Sequence, residues 1–201
     1  MLIGIDLDNT IIDYEDAFRT LAREWGLTPA GFQGNKVAIR EYLKTLPGGH
    51  EEWMRLQGYV YGKGIHYARV MPGFLEFVRI CRERKLPTVI VSHKTQYGHY
   101  DPEKVDLREA ALGFMAQQGF FDQLGFEKQK IFFEFTKEEK LARIKTLECS
   151  HFIDDLVDIF THPQFPISVK PYLLSKEKNS VLDSRVVQCC DWLMVMRNLF
   201  I

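Results

Sequence analysis

Residues 1–12 read MLIGIDLDNTII. Leu2, Ile3, Ile5 and Leu7, with Gly4 between them, form the nearly continuous apolar run expected of a strand buried on both faces of a parallel sheet. Two acids, Asp6 and Asp8, are set into it one residue apart. Burying a charge without a partner is strongly unfavourable. The acids therefore need cationic partners, or a place at the end of the sheet where a ligand binds. A solvated turn is the plainer alternative, because Asp and Asn favour turns.

The rest of the chain shows which kind of sheet this is. YEDAFRTLAREWG (14–26) has helical spacing, with Ala17, Phe18, Leu21, Ala22 and Trp25 on one face and Gly26 as a stop. A mixed stretch rich in glycine and aromatics follows, with short helices expected over 36–46 and 50–61 on either side of the Pro47-Gly48-Gly49 turn. MPGFLEFVRICRERK (71–85) reads as a helix with Pro72 near its first turn. LPTVIVSHKT (86–95) contains a second buried strand, from Thr88 to Val91. Residues 102–118 read as a helix, and KIFFEF (130–135) is rich in β-formers. TKEEKLARIKTLEC (136–149) is a helix whose Thr136 and Glu139 have the spacing of a capping box. HFIDD (151–155) is a strand ending in paired acids, and ISVKPYLL (167–174) a further candidate strand. SRVVQCCDWLMVMRNLF (184–200) reads as a closing helix with Val186, Val187, Cys190, Leu193 and Met194 inward. Strands alternating with helices specify an α/β fold with a doubly wound parallel sheet. Ligands bind such sheets off the carboxyl ends of the strands, which is where Asp6 and Asp8 fall.

Composition narrows the partners. The 201 residues are 46% hydrophobic and carry a formal net charge of -1, so neither a nucleic acid polymer nor a membrane surface is expected. MLIGIDLD lacks a basic leader, and no segment has the roughly 20 apolar residues of a membrane span. The four cysteines form no CxxC pattern and are read as packing residues of a reduced, cytoplasmic protein.

Three strand ends carry polar groups: Asp6-Leu7-Asp8-Asn9-Thr10, then Ser92 followed by His93 and Lys94, then Asp154-Asp155. Lys140 lies on a helix fourteen residues ahead of Asp154. In this order, and on these element types, the residues resemble the haloacid dehalogenase (HAD) superfamily, made up mostly of Mg²⁺-dependent phosphohydrolases. The resemblance spans roughly residues 1–13 and 72–160.

It implies a Rossmann-like core in which Asp6 is the nucleophile that forms an aspartyl-phosphate. Asp8 is the general acid and base, a second acid that phosphatases of this fold have and dehalogenases lack. Ser92, Lys140 and His93 bind the substrate phosphate. Mg²⁺ is held by Asp6, the backbone carbonyl of Asp8 and Asp154, with Asp155 acting through water or on a neighbouring loop. Lys137, one turn before Lys140, is the rival for the phosphate-site lysine. Asp155 and Asp158 are also candidates to cap the helix that follows them.

The resemblance further implies a division into a core of 1–13 and 71–201 and a small helical cap of 14–70. Trp53, Tyr59, Tyr61, Lys63, His66, Tyr67 and Arg69 of that cap are candidate substrate contacts. His99, Tyr100 and Asp101 lie in a loop past Ser92, and no role is assigned to them. The expected partner is a small phosphorylated metabolite, a nucleotide or a sugar phosphate. Oligomeric state is not legible. Two rivals are a phosphotransferase or phosphomutase of the same fold and a non-enzymatic phospho-acceptor module. The DxDNT run and the long insert argue against the module.

Overall fold

The computed structural model describes residues 1–177 and 183–200. Six strands form one sheet: β1 (Ile3–Ile5), β4 (Thr88–His93), β5 (Ile131–Glu134), β6 (His151–Asp154), β7 (Lys170–Leu174) and β8 (Val187–Cys189). Their order is β5-β4-β1-β6-β7-β8, and every neighbouring pair is parallel. The expected doubly wound α/β sheet is present. From β1 the chain runs outward through β4 and β5, then returns to β6 on the opposite side of β1. The reversal puts the switch point between β1 and β6, the crevice where open α/β sheets bind ligands. Two further short strands, β2 (Ile12–Asp13) and β3 (Arg69–Val70), pair as a separate ribbon that the sequence pattern did not announce.

The chain divides into two compact units. Unit 1 comprises Met1–Ile12, Val70–Lys94 and Gly119–Ile201, and unit 2 comprises Asp13–Arg69 and Thr95–Gln118. Residues 95–118, which the sequence reading assigns to the core, belong by their contacts to unit 2.

Unit 1 holds the sheet. Helix α6 (Lys137–Thr146) starts at the expected capping box, with Thr136 and Glu139 each satisfying the other's backbone N–H. It buries Leu141 and Ile144 in a cluster with Val89, Val91, Phe152 and Leu173. A second cluster is aromatic: Phe74 of α4 (Phe74–Glu83) stacks on Phe120 and meets Trp192 of α8 (Trp192–Phe200) edge-on.

Unit 2 is built on helices α1 (Glu15–Glu24), α2 (Lys36–Lys44), α3 (Gly49–Tyr61) and α5 (Leu107–Gln117). Phe18 of α1 stacks on Trp53 of α3 with ring centroids 5.2 Å apart. No helix among the described residues is long and apolar enough to cross a membrane.

Three local expectations are corrected. Residues 184–200 are not one helix: Val187–Cys189 is strand β8, and the helix begins at Trp192. Its inward face is Trp192, Val195 and Met196, whereas Cys190, Leu193 and Met194 are exposed. The β-branched Val187 pairs with Tyr172 on β7, and the buried Trp192 donates its Nε1–H to the Thr10 carbonyl at 2.9 Å, which sets the helical phase. Helix α5 starts at Leu107 rather than at 102, because Asp106 caps it by accepting the Arg108 and Glu109 N–H groups. Strand β7 starts at Lys170 rather than at Ile167, which is 84% exposed.

Gly4 is required where β1 runs beside Phe152, its partner on β6. A Cβ there would lie 2.6 Å from Phe152 Cδ2 and 3.0 Å from Cys149 Sγ. Gly4→Ala should lower unfolding free energy in a urea melt by roughly 1–3 kcal/mol. Adding Phe152→Leu should recover part of that loss; no recovery would show that the cost does not arise from this contact.

Candidate functional site

All groups of the site lie in unit 1. β1 and β6 pair in parallel with Ile5 opposite Ile153, so the next residues, Asp6 and Asp154, leave adjacent strand ends together. Both are buried. Lys140 reaches between them from α6: its Nζ lies 2.6 Å from Asp6 Oδ1 and 2.6 Å from Asp154 Oδ2, with only 1% of the residue exposed. The other oxygen of Asp154 accepts the Leu156 N–H at 2.9 Å. Asp155 joins the group: one ligand oxygen each from Asp6, Asp154 and Asp155 lie within 4.8 Å of one another.

After Asp6 the chain turns sharply. The Asn9 N–H donates to the Ile12 carbonyl, and Asn9 adopts φ 61°, a left-handed conformation that Asn tolerates better than most residues. The turn presents Asp8, whose carboxylate accepts from Lys94 Nζ at 2.8 and 3.0 Å. Lys94 is 3% exposed. It is the site residue that sequence reasoning left without a role. Side chains alternate along a strand, so if Ser92 faces the site, Lys94 does too and His93 faces away. The structure agrees: Ser92 and Lys94 are buried, and exposed His93 bonds through Nε2 to the Phe135 carbonyl at 2.9 Å. The His93 imidazole is thus committed elsewhere, and any phosphate contact from His93 falls to its backbone.

Lys137 pairs with Asp158 at 3.0 Å on the surface, so Lys140, not Lys137, is at the acids. Helix α7 (Val157–Phe160) has Leu156 at its N-cap and no side-chain cap. Two hydroxyls, Ser92 Oγ and Thr10 Oγ1, are buried with no hydrogen-bond partner among the described residues. Buried polar atoms are rarely left so, and a ligand oxygen is a natural partner for Ser92. Five of the seven candidate contacts of 14–70 are engaged within unit 2, while Tyr67 is exposed and Tyr59 packs edge-on against Trp25. Trp53 is core, Tyr61 bonds to Lys36 Nζ, Lys63 pairs with Glu103, His66 with the Lys63 carbonyl, and Arg69 with Asp13 and Asp16.

The electrostatics favour a cation. Four carboxylates, Asp6, Asp8, Asp154 and Asp155, face two ammoniums, Lys94 and Lys140, an excess of two negative charges when all are ionised. Burial, reinforced by the neighbouring Asp154, outweighs Lys140 and pushes the Asp6 carboxyl up to about 7. Burial alone would lower Lys140, but Asp154 and Asp6 hold it above its ordinary value and charged. Hard oxygen donors and a charge of minus two suit Mg²⁺, whose ligands at about 2.0–2.1 Å span up to roughly 4 Å across the ion.

Neither a family model nor a curated protein matches the sequence significantly. Solved structures do match in fold. A haloacid dehalogenase-like hydrolase from Streptococcus pneumoniae superposes with TM-score 0.60 at 15% identity, over 98% of this chain and 97% of that one. A phosphoserine phosphohydrolase-like protein from Francisella tularensis gives 0.55 at 13% identity, over 98% of each chain. A HAD family hydrolase from Deinococcus radiodurans, described with bound phosphate and sodium, gives 0.50 at 12% identity, over 94% of this chain and 90% of that one.

The raised Asp6 carboxyl predicts a pH-dependent effect of neutralising it. A carboxyl whose folded pKa lies above its unfolded value of 3.8 adds stability below pH 4, and that stability is lost as pH rises through about 7. In EDTA, Asp6→Asn should therefore raise the unfolding free energy at pH 8 by a few kcal/mol, with the gain vanishing near pH 4. A gain independent of pH would show that Asp6 is not the strained group.

Proposed function

The chain has the fold of the haloacid dehalogenase-like hydrolases, and from that premise we propose that it is a Mg²⁺-dependent phosphomonoesterase acting on a small phosphorylated metabolite. The observation that carries this reading is the buried Asp6–Lys140–Asp154 bridge with Asp155 beside it, a hard-oxygen site at the switch point of a parallel sheet. The phosphate described in the Deinococcus neighbour and the phosphohydrolase likeness of the Francisella protein support the same class.

A phosphate monoester is already anionic, so a carboxylate attacks it only where cations offset the repulsion. Mg²⁺, held by Asp6, Asp154, Asp155 and the Asp8 carbonyl, supplies charge neutralisation and alignment when bound. Lys140 keeps Asp6 and Asp154 together while the phosphate approaches. Ser92 Oγ–H donates to a phosphate oxygen, which satisfies its buried hydroxyl. Asp6 attacks phosphorus, a P–O bond forms to its carboxylate, and the ester P–O bond breaks. Asp8 gives its proton to the departing alkoxide. It then takes a proton from the water that attacks the aspartyl-phosphate, which returns Asp6 as a carboxylate and releases inorganic phosphate. Lys94 fixes the orientation of Asp8 for both transfers. Unit 2 supplies substrate selection in this reading.

Purified protein with Mg²⁺ should hydrolyse p-nitrophenyl phosphate, and EDTA should abolish the activity. Asp6→Asn should leave none, and Asp8→Asn should lower kcat by about 10²–10⁴. Released phosphate should equal released nitrophenol even with added acceptor alcohols; a shortfall made up by a phosphorylated acceptor would identify a phosphotransferase instead. Failure to turn over any member of a phosphometabolite panel would remove the enzymatic reading.

A further inference from the structure

Unit 2 contains a cavity of about 770 Å³ between helix α3 and the loop 97–105, a volume typical of small-molecule sites. Its aromatic wall comes from three separate segments: Trp25, Tyr59, and the pair Tyr97 and Tyr100. Trp25 and Tyr59 meet edge-to-face at 4.9 Å and form one side. Tyr97 and Tyr100 are 44% and 53% exposed. Their ring faces are therefore open to a ligand in the cavity.

The loop is built to hold them there. Tyr100 has φ 57° and Lys104 φ 48°, a conformation costly for bulky residues that persists only where the surroundings impose it. Asp101 imposes it by accepting the Glu103 N–H at 3.0 Å and the Val105 N–H at 2.8 Å. Gly58 and Gly98 let α3 and the loop touch backbone to backbone: a Cβ on Gly98 would lie 2.7 Å from Gly58 Cα.

The polar groups select the ligand. Asp101 is committed to its own loop and Glu103 to Lys63 at 2.5 Å, so the acids of the wall are already engaged. Flat aromatic faces with Lys104 on the same wall, beside Arg55 in its exposed pair with Glu52, suit a planar heteroaromatic group rich in acceptor atoms. We propose that this cavity binds a nucleobase-bearing ligand, a nucleoside or nucleotide, stacked on its tyrosines. The site lies wholly in unit 2, and the inference stands whether or not unit 1 hydrolyses phosphate esters.

Calorimetric titration of the full chain with adenosine, guanosine, cytidine, thymidine and ribose tests it. At least one nucleoside should bind saturably and ribose should not. Tyr97→Ala and Gly98→Ala should each weaken that binding at least tenfold, with circular dichroism confirming that both variants fold. Asp6→Asn should leave nucleoside affinity unchanged. Trp25 is 36% exposed while Trp53 and Trp192 are buried, so bound nucleoside should quench tryptophan emission and Trp25→Phe should remove the quenching. The proposal is overturned by absent nucleoside binding at millimolar concentration, by ribose binding as well as nucleosides do, or by affinity unaffected in both wall variants. Absence of p-nitrophenyl phosphate hydrolysis by the unsubstituted protein, with nucleoside binding intact, would count against the phosphatase reading alone.

Discussion

One ammonium holds the site together. Asp6 and Asp154 leave neighbouring strand ends with almost no access to water, and without Lys140 two buried anions would face each other. Such a bridge is weak evidence of net stabilisation, because desolvating three charges offsets most of what their attraction returns. What it secures is geometry. The capping box at Thr136 fixes where α6 begins, Leu141 and Ile144 fix which face it turns to the sheet, and Lys140 is thereby aimed at the crevice.

The topology explains why the acids meet at all. The first strand sits centrally, with β4 on one side and β6 on the other. The reversal between β1 and β6 opens a gap at the carboxyl end of the sheet, and the polar ends of three strands converge around it. Each contributes different groups: the first strand two acids one residue apart, the β4 end a hydroxyl and an ammonium, the β6 end a pair of acids. The same rim without its lysines would be strained by repulsion. With them it retains an excess of negative charge of the size a divalent ion would offset.

Much of this was legible before the structure, because apolar runs ending in acids are rare and expensive. The run at 2–7, the strand at 88–91 and HFIDD gave the core strands, and the Thr136–Glu139 spacing gave the start of α6. The failures have local causes. His93 and Lys94 look alike as polar residues after a strand, and only the alternation of side chains, followed one residue past Val91, separates them. The closing segment misled because Val186, Val187 and Cys190 also fit a helical spacing, while strand pairing with β7 is a tertiary choice that no local pattern carries. The attachment of 95–118 to unit 2 rests on α5 packing against α3 and the 63–67 segment, together with the Gly58–Gly98 approach, tertiary choices that leave no periodic trace.

The placement of β1 has a consequence for synthesis. The nucleophile candidate precedes the lysine that bridges it and the acids beside it by some 134 to 149 positions in the chain. Until that later stretch emerges, the central strand lacks one of its two hydrogen-bonded neighbours and Asp6 has no buried counter-charge. A nascent chain halted before β6 therefore holds Asp6 without the strand and the acids that enclose it, and the acidic cluster assembles only once β6 has emerged.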